Sequence, residues 1–253
     1  SATFTNLTFF DNAGSDRTIT IASGTTLTAS STLTFSNTSA DADAVDGPGT
    51  VEFQGDLAAG GTEGWRGNIA LTATGTSAQT LNQNGQFPTG TFTINKSSGT
   101  ATLGTNFTVN GTGQDLTVSN GILDLAGFAL TVNDVLTIGV SGTLQLQGGE
   151  TITTTTNTLN AGSTVIYNGT ASSYTLKNYS YDNLTINGGT STVFSFPANL
   201  TTVDTLTLSN STTSLAGFSL TATTISSSAT LRLQGNETVS IVTMDVDSGT
   251  VEY

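Results

Sequence analysis

Leu125-Ala126-Gly127-Phe128-Ala129-Leu130 returns as Leu215-Ala216-Gly217-Phe218-Ser219-Leu220, and this echo decides the fold. Thr143-Leu144-Gln145-Leu146-Gln147-Gly148 returns as Thr230-Leu231-Arg232-Leu233-Gln234-Gly235, with Glu150-Thr151 and Glu237-Thr238 in matching places. Gly49-Thr50-Val51-Glu52-Phe53 is echoed by Ser163-Thr164-Val165-Ile166-Tyr167 and by Gly249-Thr250-Val251-Glu252-Tyr253. Asn6-Leu7-Thr8-Phe9, Thr91-Phe92-Thr93-Ile94-Asn95 and Asn183-Leu184-Thr185-Ile186-Asn187 form a third set. The spacings cluster at roughly 85 to 95 residues, with an internal repeat over about 91–167 and 183–253. A recurring period marks stacked architecture, in which each unit buries its apolar face only against its neighbours.

Outward from these echoes the local pattern has period two. Asn106-Phe107-Thr108-Val109, Ala129-Leu130-Thr131-Val132 and Asp204-Thr205-Leu206-Thr207-Leu208 alternate polar with apolar residues, as a strand with one buried face requires. Turn chemistry separates them, in Asn110-Gly111-Thr112-Gly113, Asn120-Gly121 and Asn187-Gly188-Gly189. No segment carries a helical period. Two all-β solutions fit: tandem β-sandwiches, or a right-handed parallel β-helix (β-solenoid) whose coils each contribute two or three short strands. The solenoid fits better, because the strands are short and no long connections intervene. The lone Trp65, in a Gly-rich stretch, also lacks the cystine that a sandwich Trp faces. At about 20 to 25 residues per coil, residues 1–253 make one elongated solenoid of roughly eleven coils. The rhythm breaks at about 36–67, which reads as two loop insertions around a strand at Thr50 to Phe53, and long loops on a regular scaffold are where function is carried.

Composition narrows the function classes. The chain has 18 acidic and 5 basic residues, a net charge of −13, and scattered cations at Arg17, Arg66, Lys96, Lys177 and Arg232. Nucleic-acid or anionic-membrane binding needs clustered cations, so neither partner is expected. There is no cysteine and no histidine, which removes disulfides, thiolate and Ser-His-Asp catalysis, and leaves almost no zinc chemistry. No apolar run reaches the ~20 residues of a membrane span. An acidic, cysteine-free, Thr/Ser/Gly/Asn-rich chain points to an extracellular, prokaryotic cell-surface location. The start at Ser1-Ala2 reads as a mature product after signal removal or a segment of a longer chain.

The Gly-Thr-Val-Glu-Phe, Asn-Leu-Thr-Ile-Asn and Leu-Asp-Leu-Ala-Gly-Phe-Ala-Leu-Thr-Val elements resemble the repetitive β-helical surface proteins of bacteria and archaea. That group includes autotransporter passengers and haemagglutinin-like adhesins. The resemblance covers nearly the whole chain and implies an architecture; it transfers no functional residue, because such repeats serve adhesins, fibres and sheaths alike.

Lys96 and Lys177 stand apart from acidic clusters, and Glu150 and Glu237 recur with the repeat, as turn residues do and as unique catalytic acids do not; no enzyme is expected. Asp41, Asp43 and Asp46 before Gly47 form an acidic run that offers oxygen ligands to calcium, with Asp56 and Glu63 as additional donors. The plainer reading is a solvated loop, and calcium is the one cofactor considered. Thr151-Ile152-Thr153-Thr154-Thr155-Thr156 is the best local match to an ice-binding rank, but the sequence does not display Thr-x-Thr on successive coils. Sequons occur at Asn6, Asn37, Asn95, Asn106, Asn110, Asn168, Asn178, Asn183, Asn199, Asn210 and Asn236, which makes them candidate glycosylation sites if the source is archaeal. Phe87, Phe92, Phe107, Phe128, Phe194, Phe196 and Phe218 fall mostly at inward positions. Tyr167, Tyr174, Tyr179 and Tyr181 are dense enough to line a sugar-binding strip.

The ends carry the functional expectation. Ser163 to Tyr167 leads into Asn183 to Ile186; the last residues resemble the first of these elements and the first residues resemble the second. Neither end has a polar cap over its strand edges. Phe4, Leu7, Phe9, Val251 and Tyr253 are therefore expected to mediate self-assembly. The chain reads as a non-catalytic structural subunit of a surface filament, joined head to tail to copies of itself or to flanking repeats of a longer chain. The alternative is an adhesin segment binding glycans or another cell surface.

Overall fold

Short alternating strands joined by tight corners bury their apolar face by coiling. The computed structural model is a parallel β-solenoid of about 12 turns, described for residues 1–12, 14–39, 41–61, 64–244 and 248–253. Among the described residues there is no helix, hence none long and apolar enough to cross a membrane, and the strands pair in parallel. Antiparallel sandwiches are thereby excluded. The turn count exceeds eleven because several coils are short: the spacing falls to 18 residues from Thr212 to Thr230 and rises to 26 from Leu7 to Leu33. The span 36–67 is mostly regular coil, carrying strands at Ala44–Asp46, Thr50–Phe53 and Leu57–Gly61. Glu63 lies outside the described residues.

The chain divides into two compact units, one of Ser1–Thr137 with Thr151–Thr158, the other of Ile138–Glu150 with Leu159–Tyr253. In the first, strand alternation sends every second residue into inward columns. Leu27, Val51, Leu71, Phe92 and Leu116 stack in register. The parallel column Phe4, Ala29, Phe53, Ala73, Ile94 alternates large with small side chains, so each ring fills the space its alanine neighbour leaves. A further column joins Phe9 to Phe35, whose rings stack at 5.2 Å. Trp65 is buried against Phe9 at 5.8 Å and donates its indole N–H to Ser36 O. The Gly-rich stretch thus places a core anchor rather than a loose loop.

In the second unit Leu144, Val165, Leu184, Leu206 and Ile225 form one inward column, and Tyr174, Phe194, Thr213, Leu231 and Val251 another. The sequence echoes become identical corners. Ala126 and Gly127 have φ of 50° and 89°, Ala216 and Gly217 have 51° and 87°. Phe128 and Phe218 close each turn by donating to Leu125 O and Leu215 O at 2.8 Å. Positive φ at both central residues defines a turn of the I′ kind, and glycine at its second position carries no Cβ penalty. One echo separates in space: Thr164–Tyr167 stacks directly on Asn183–Asn187, whereas Thr250–Glu252 belongs to a different sheet, with Thr230–Arg232.

Ala29 tests the size alternation. Enlarging it to Leu between Phe4 and Phe53 is expected to cost about 1–3 kcal/mol by overpacking. Thr28→Leu, on the outward face of the same strand, is expected to stay within about 0.5 kcal/mol; urea denaturation of the two variants checks the contrast.

Candidate functional site

Among the described residues, the strands nearest either end of the sequence have a pairing partner on one side. Ala2–Phe4, Leu7–Asp11 and Thr18–Thr20 pair on one side only, with Thr26–Ala29, Leu33–Asn37 and Ala44–Asp46. In the other unit Val239–Met244 and Thr250–Glu252 pair on one side only, with Leu220–Ser227 and Thr230–Arg232. Among the described residues these strands therefore present unpaired main-chain groups. Apolar surface accompanies them: Phe4 is 43% exposed, Val251 48% and Tyr253 87%. Two expected contact residues differ. Phe9 points inward and is 4% exposed, already consumed by Phe35 and Trp65, and Leu7 is half-buried. Phe10, at 55%, and Ile19, at 41%, take their place at one edge; Val242 and Met244 join Val251 at the other. The alternation within Leu7–Asp11 explains the exchange, because Phe9 and Phe10 face opposite ways.

The residues that could hold a cation are not the expected three. Asp41 and Asp43 converge with Asp11, all three carboxylates within 4.8 Å, and Asp46 is elsewhere, accepting the Asn68 amide at 2.8 Å. Asp11 comes from the preceding coil and pairs with the Arg17 guanidinium at 2.7 Å. Asp43 accepts from Arg17 N and Asn37 Nδ2, and Asp41 from Ser39 Oγ. Burial pushes the Asp43 carboxyl above the usual range, aided by Asp11 and Asp41 and opposed by the Arg17 amide; the Ser39 hydroxyl holds Asp41 below it. Three carboxylates offer up to six of the six to eight oxygens calcium takes, and one of them, Asp11, is also paired with the Arg17 guanidinium. Asp56 is committed to the Thr80 amide at 2.7 Å.

The side chains that could serve catalysis hold the scaffold instead, Lys96 as a peg between coils and Glu150 and Glu237 as caps on their own turns. Lys96 is fully buried, and its ammonium donates to Thr74 O, Ser77 O and Gln79 Oε1. Gln79 in turn donates to Phe53 O and Gly55 O, so the chain of bonds crosses three coils. Burial lowers the Lys96 pKa. Glu150 accepts the amides of Gln147 and Gly148, and Glu237 those of Gln234 and Gly235. At Glu237 slight burial works upward, but these amides outweigh it and hold the carboxyl below its ordinary value.

Asparagine and aspartate at the corners form a second set of pegs that the sequence does not announce. Asn6, Asn106 and Asn199 accept the amides of Thr32, Ala129 and Ser219 in the adjacent coil. The same corner role accounts for much of the sequon excess. Asn37 is buried with its amide nitrogen bonded to Asp43 and Asp41, closed to a modifying enzyme. Asn183 and Asn210 donate to Ser163 O and Asn187 Oδ1. Asn95, Asn110, Asn178 and Asn236 are exposed and Asn168 is half-buried.

The tyrosines do not form an open strip. Tyr167 and Tyr181 are buried, and Tyr174 stacks on Phe194 at 5.3 Å. Lys177 N donates to Tyr167 Oη, the Tyr167 and Tyr181 hydroxyls are 2.8 Å apart, and Tyr181 Oη donates to Lys177 O, closing a ring of bonds. Among the expected inward phenylalanines, Phe128 and Phe218 are half-buried at their turns, while Phe87, Phe92, Phe107, Phe194 and Phe196 are core. No family model, no curated protein and no solved structure matches this chain.

Burial raises the pKa of Tyr167 and Tyr181 well above 10 and pushes Tyr179 up to about 12. A folded pKa above the unfolded one means the stability they contribute is complete below about pH 10 and is lost as pH climbs through the folded values. Phenolate absorbance is expected to show three tyrosines titrating late, with stability falling from about pH 10 upward. Early ionisation of all five tyrosines in folded protein would contradict the buried ring of bonds.

Proposed function

We propose that this chain is a non-catalytic extracellular structural protein, a filament subunit whose end coils add head to tail onto coils of the same kind. Those coils belong to further copies in the filament, and flanking repeats of a longer polypeptide satisfy the same edges in the same way. The observation that carries this reading is the coincidence, at both end coils, of one-sided parallel strands with exposed apolar side chains: Phe4, Phe10 and Ile19 at one, Val242, Met244, Val251 and Tyr253 at the other. An open edge pairs readily with another chain, and a parallel edge extended by a parallel coil continues the ladder already present. A contact between two different faces does not close, so it propagates as a filament. The interior hydrogen bonds of Lys96 and the turn-closing hydrogen bonds of Glu150 and Glu237 support a scaffold rather than an active site. The burial of Tyr167 and Tyr181 removes the sugar-binding strip that favoured an adhesin.

Sedimentation velocity and negative-stain microscopy test this on the 253-residue chain. Mass is expected to grow with concentration into filaments, and more readily at high salt, which screens the net charge of −13. Phe10→Glu and Val251→Glu, each at an exposed position, are expected to leave the fold intact and block growth. A chain that stays monomeric at high concentration and high salt would contradict the proposal.

A further inference from the structure

One sheet of the second unit carries a two-column array on its outward face. In register, Thr143, Thr164, Asn183, Thr205, Thr224 and Thr243 occupy six successive coils. Two residues along each strand, Gln145, Ile166, Thr185, Thr207 and Ser226 form a second column. Leu144, Val165, Leu184, Leu206 and Ile225 lie between the columns and point inward, all buried. The array residues are half-buried or exposed. The first column is threonine in five of its six coils, the second is mixed, and Thr205-Leu206-Thr207 is the one Thr-x-Thr row of the array; the sequence hides the columns because coil lengths of 19 to 22 residues shift them out of any fixed period.

Three properties restrict what such a face can bind. None of its residues is charged, in a chain with 18 acidic and 5 basic residues, so charge complementarity selects a neutral, periodic partner. It carries no aromatic ring, the side chain that gives a large stacking surface, so a sugar polymer has no platform. Its groups repeat at about 4.8 Å between coils and about 6.6 Å along a strand, two residues of 3.3 Å rise, close to the repeat of oxygen positions on the prism faces of ice. Threonine suits that lattice physically. Its branched side chain is stiff at χ1, its methyl orders the water around it, and its hydroxyl both donates to and accepts from that layer. Ile166 supplies the methyl alone, while Asn183 and Gln145 supply the polar group.

We propose that this face binds ice, independently of assembly at the end coils. The test is ice-affinity partitioning and thermal hysteresis with the intact 253-residue chain. Wild type is expected to enter growing ice and to shape and retard the crystals. Thr185→Tyr with Thr207→Tyr, at the centre of the array, keeps strand-favouring residues and is expected to abolish both effects with an unchanged melting temperature. Thr175→Tyr, exposed on another sheet of the unit, is expected to change neither. The proposal is overturned if wild type is excluded from ice, if the double variant retains full activity, or if the face instead retains the protein on insoluble cellulose or chitin.

Discussion

The main-chain ladder between successive coils is the interaction on which the rest depends. Each interior strand pairs along both edges, and in a parallel stack the partner is the coil before or after, 18 to 26 residues away. A buried main-chain group without a partner is costly, so coils are stable in proportion to how completely their neighbours are present. The inward columns then supply the apolar burial, and the size alternation of Phe4, Ala29, Phe53 and Ala73 fixes which coil follows which.

Polar pegs hold this ladder at its corners. Asn6, Asp56, Asn106 and Asn199 each accept an amide from the neighbouring coil. Lys96 and Gln79 carry the same idea into the interior, where an ammonium without a carboxylate is tolerated because three oxygens receive its protons. Arg17 and Asp43 tie the acidic loop to the strand carrying Asp11. Chemistry-bearing residues thus serve the stack, while exposed apolar side chains lie at the end strands and uncharged polar residues line one outward face of the second unit.

What the sequence made legible was local. Alternation marked the strands, the recurrence of Leu-Ala-Gly-Phe marked corners with matching φ angles, and that of Gln-Gly-x-Glu marked corners closed by the same glutamate hydrogen bonds. What it hid was lateral. Which residues meet across coils depends on coil length, and that length varies. The sequence gives no sign that Asp11 joins Asp41 and Asp43, that Trp65, outside any strand, seals Phe9, or that Phe10 rather than Phe9 is the exposed ring of its strand. The threonine columns escaped for the same reason. A buried Lys96 leaves no sequence signal at all, because its three acceptors are two main-chain carbonyls and a glutamine.

Hydrogen exchange read peptide by peptide, in dilute and in concentrated protein, tests most directly whether stacking on both sides is what protects a coil. Interior strands such as Phe92–Leu103 should exchange slowly in both samples. Leu7–Asp11 and Val239–Met244 should exchange fast when dilute and slow when concentrated. End strands already protected in dilute monomer, or interior strands as open as the ends, would contradict the account.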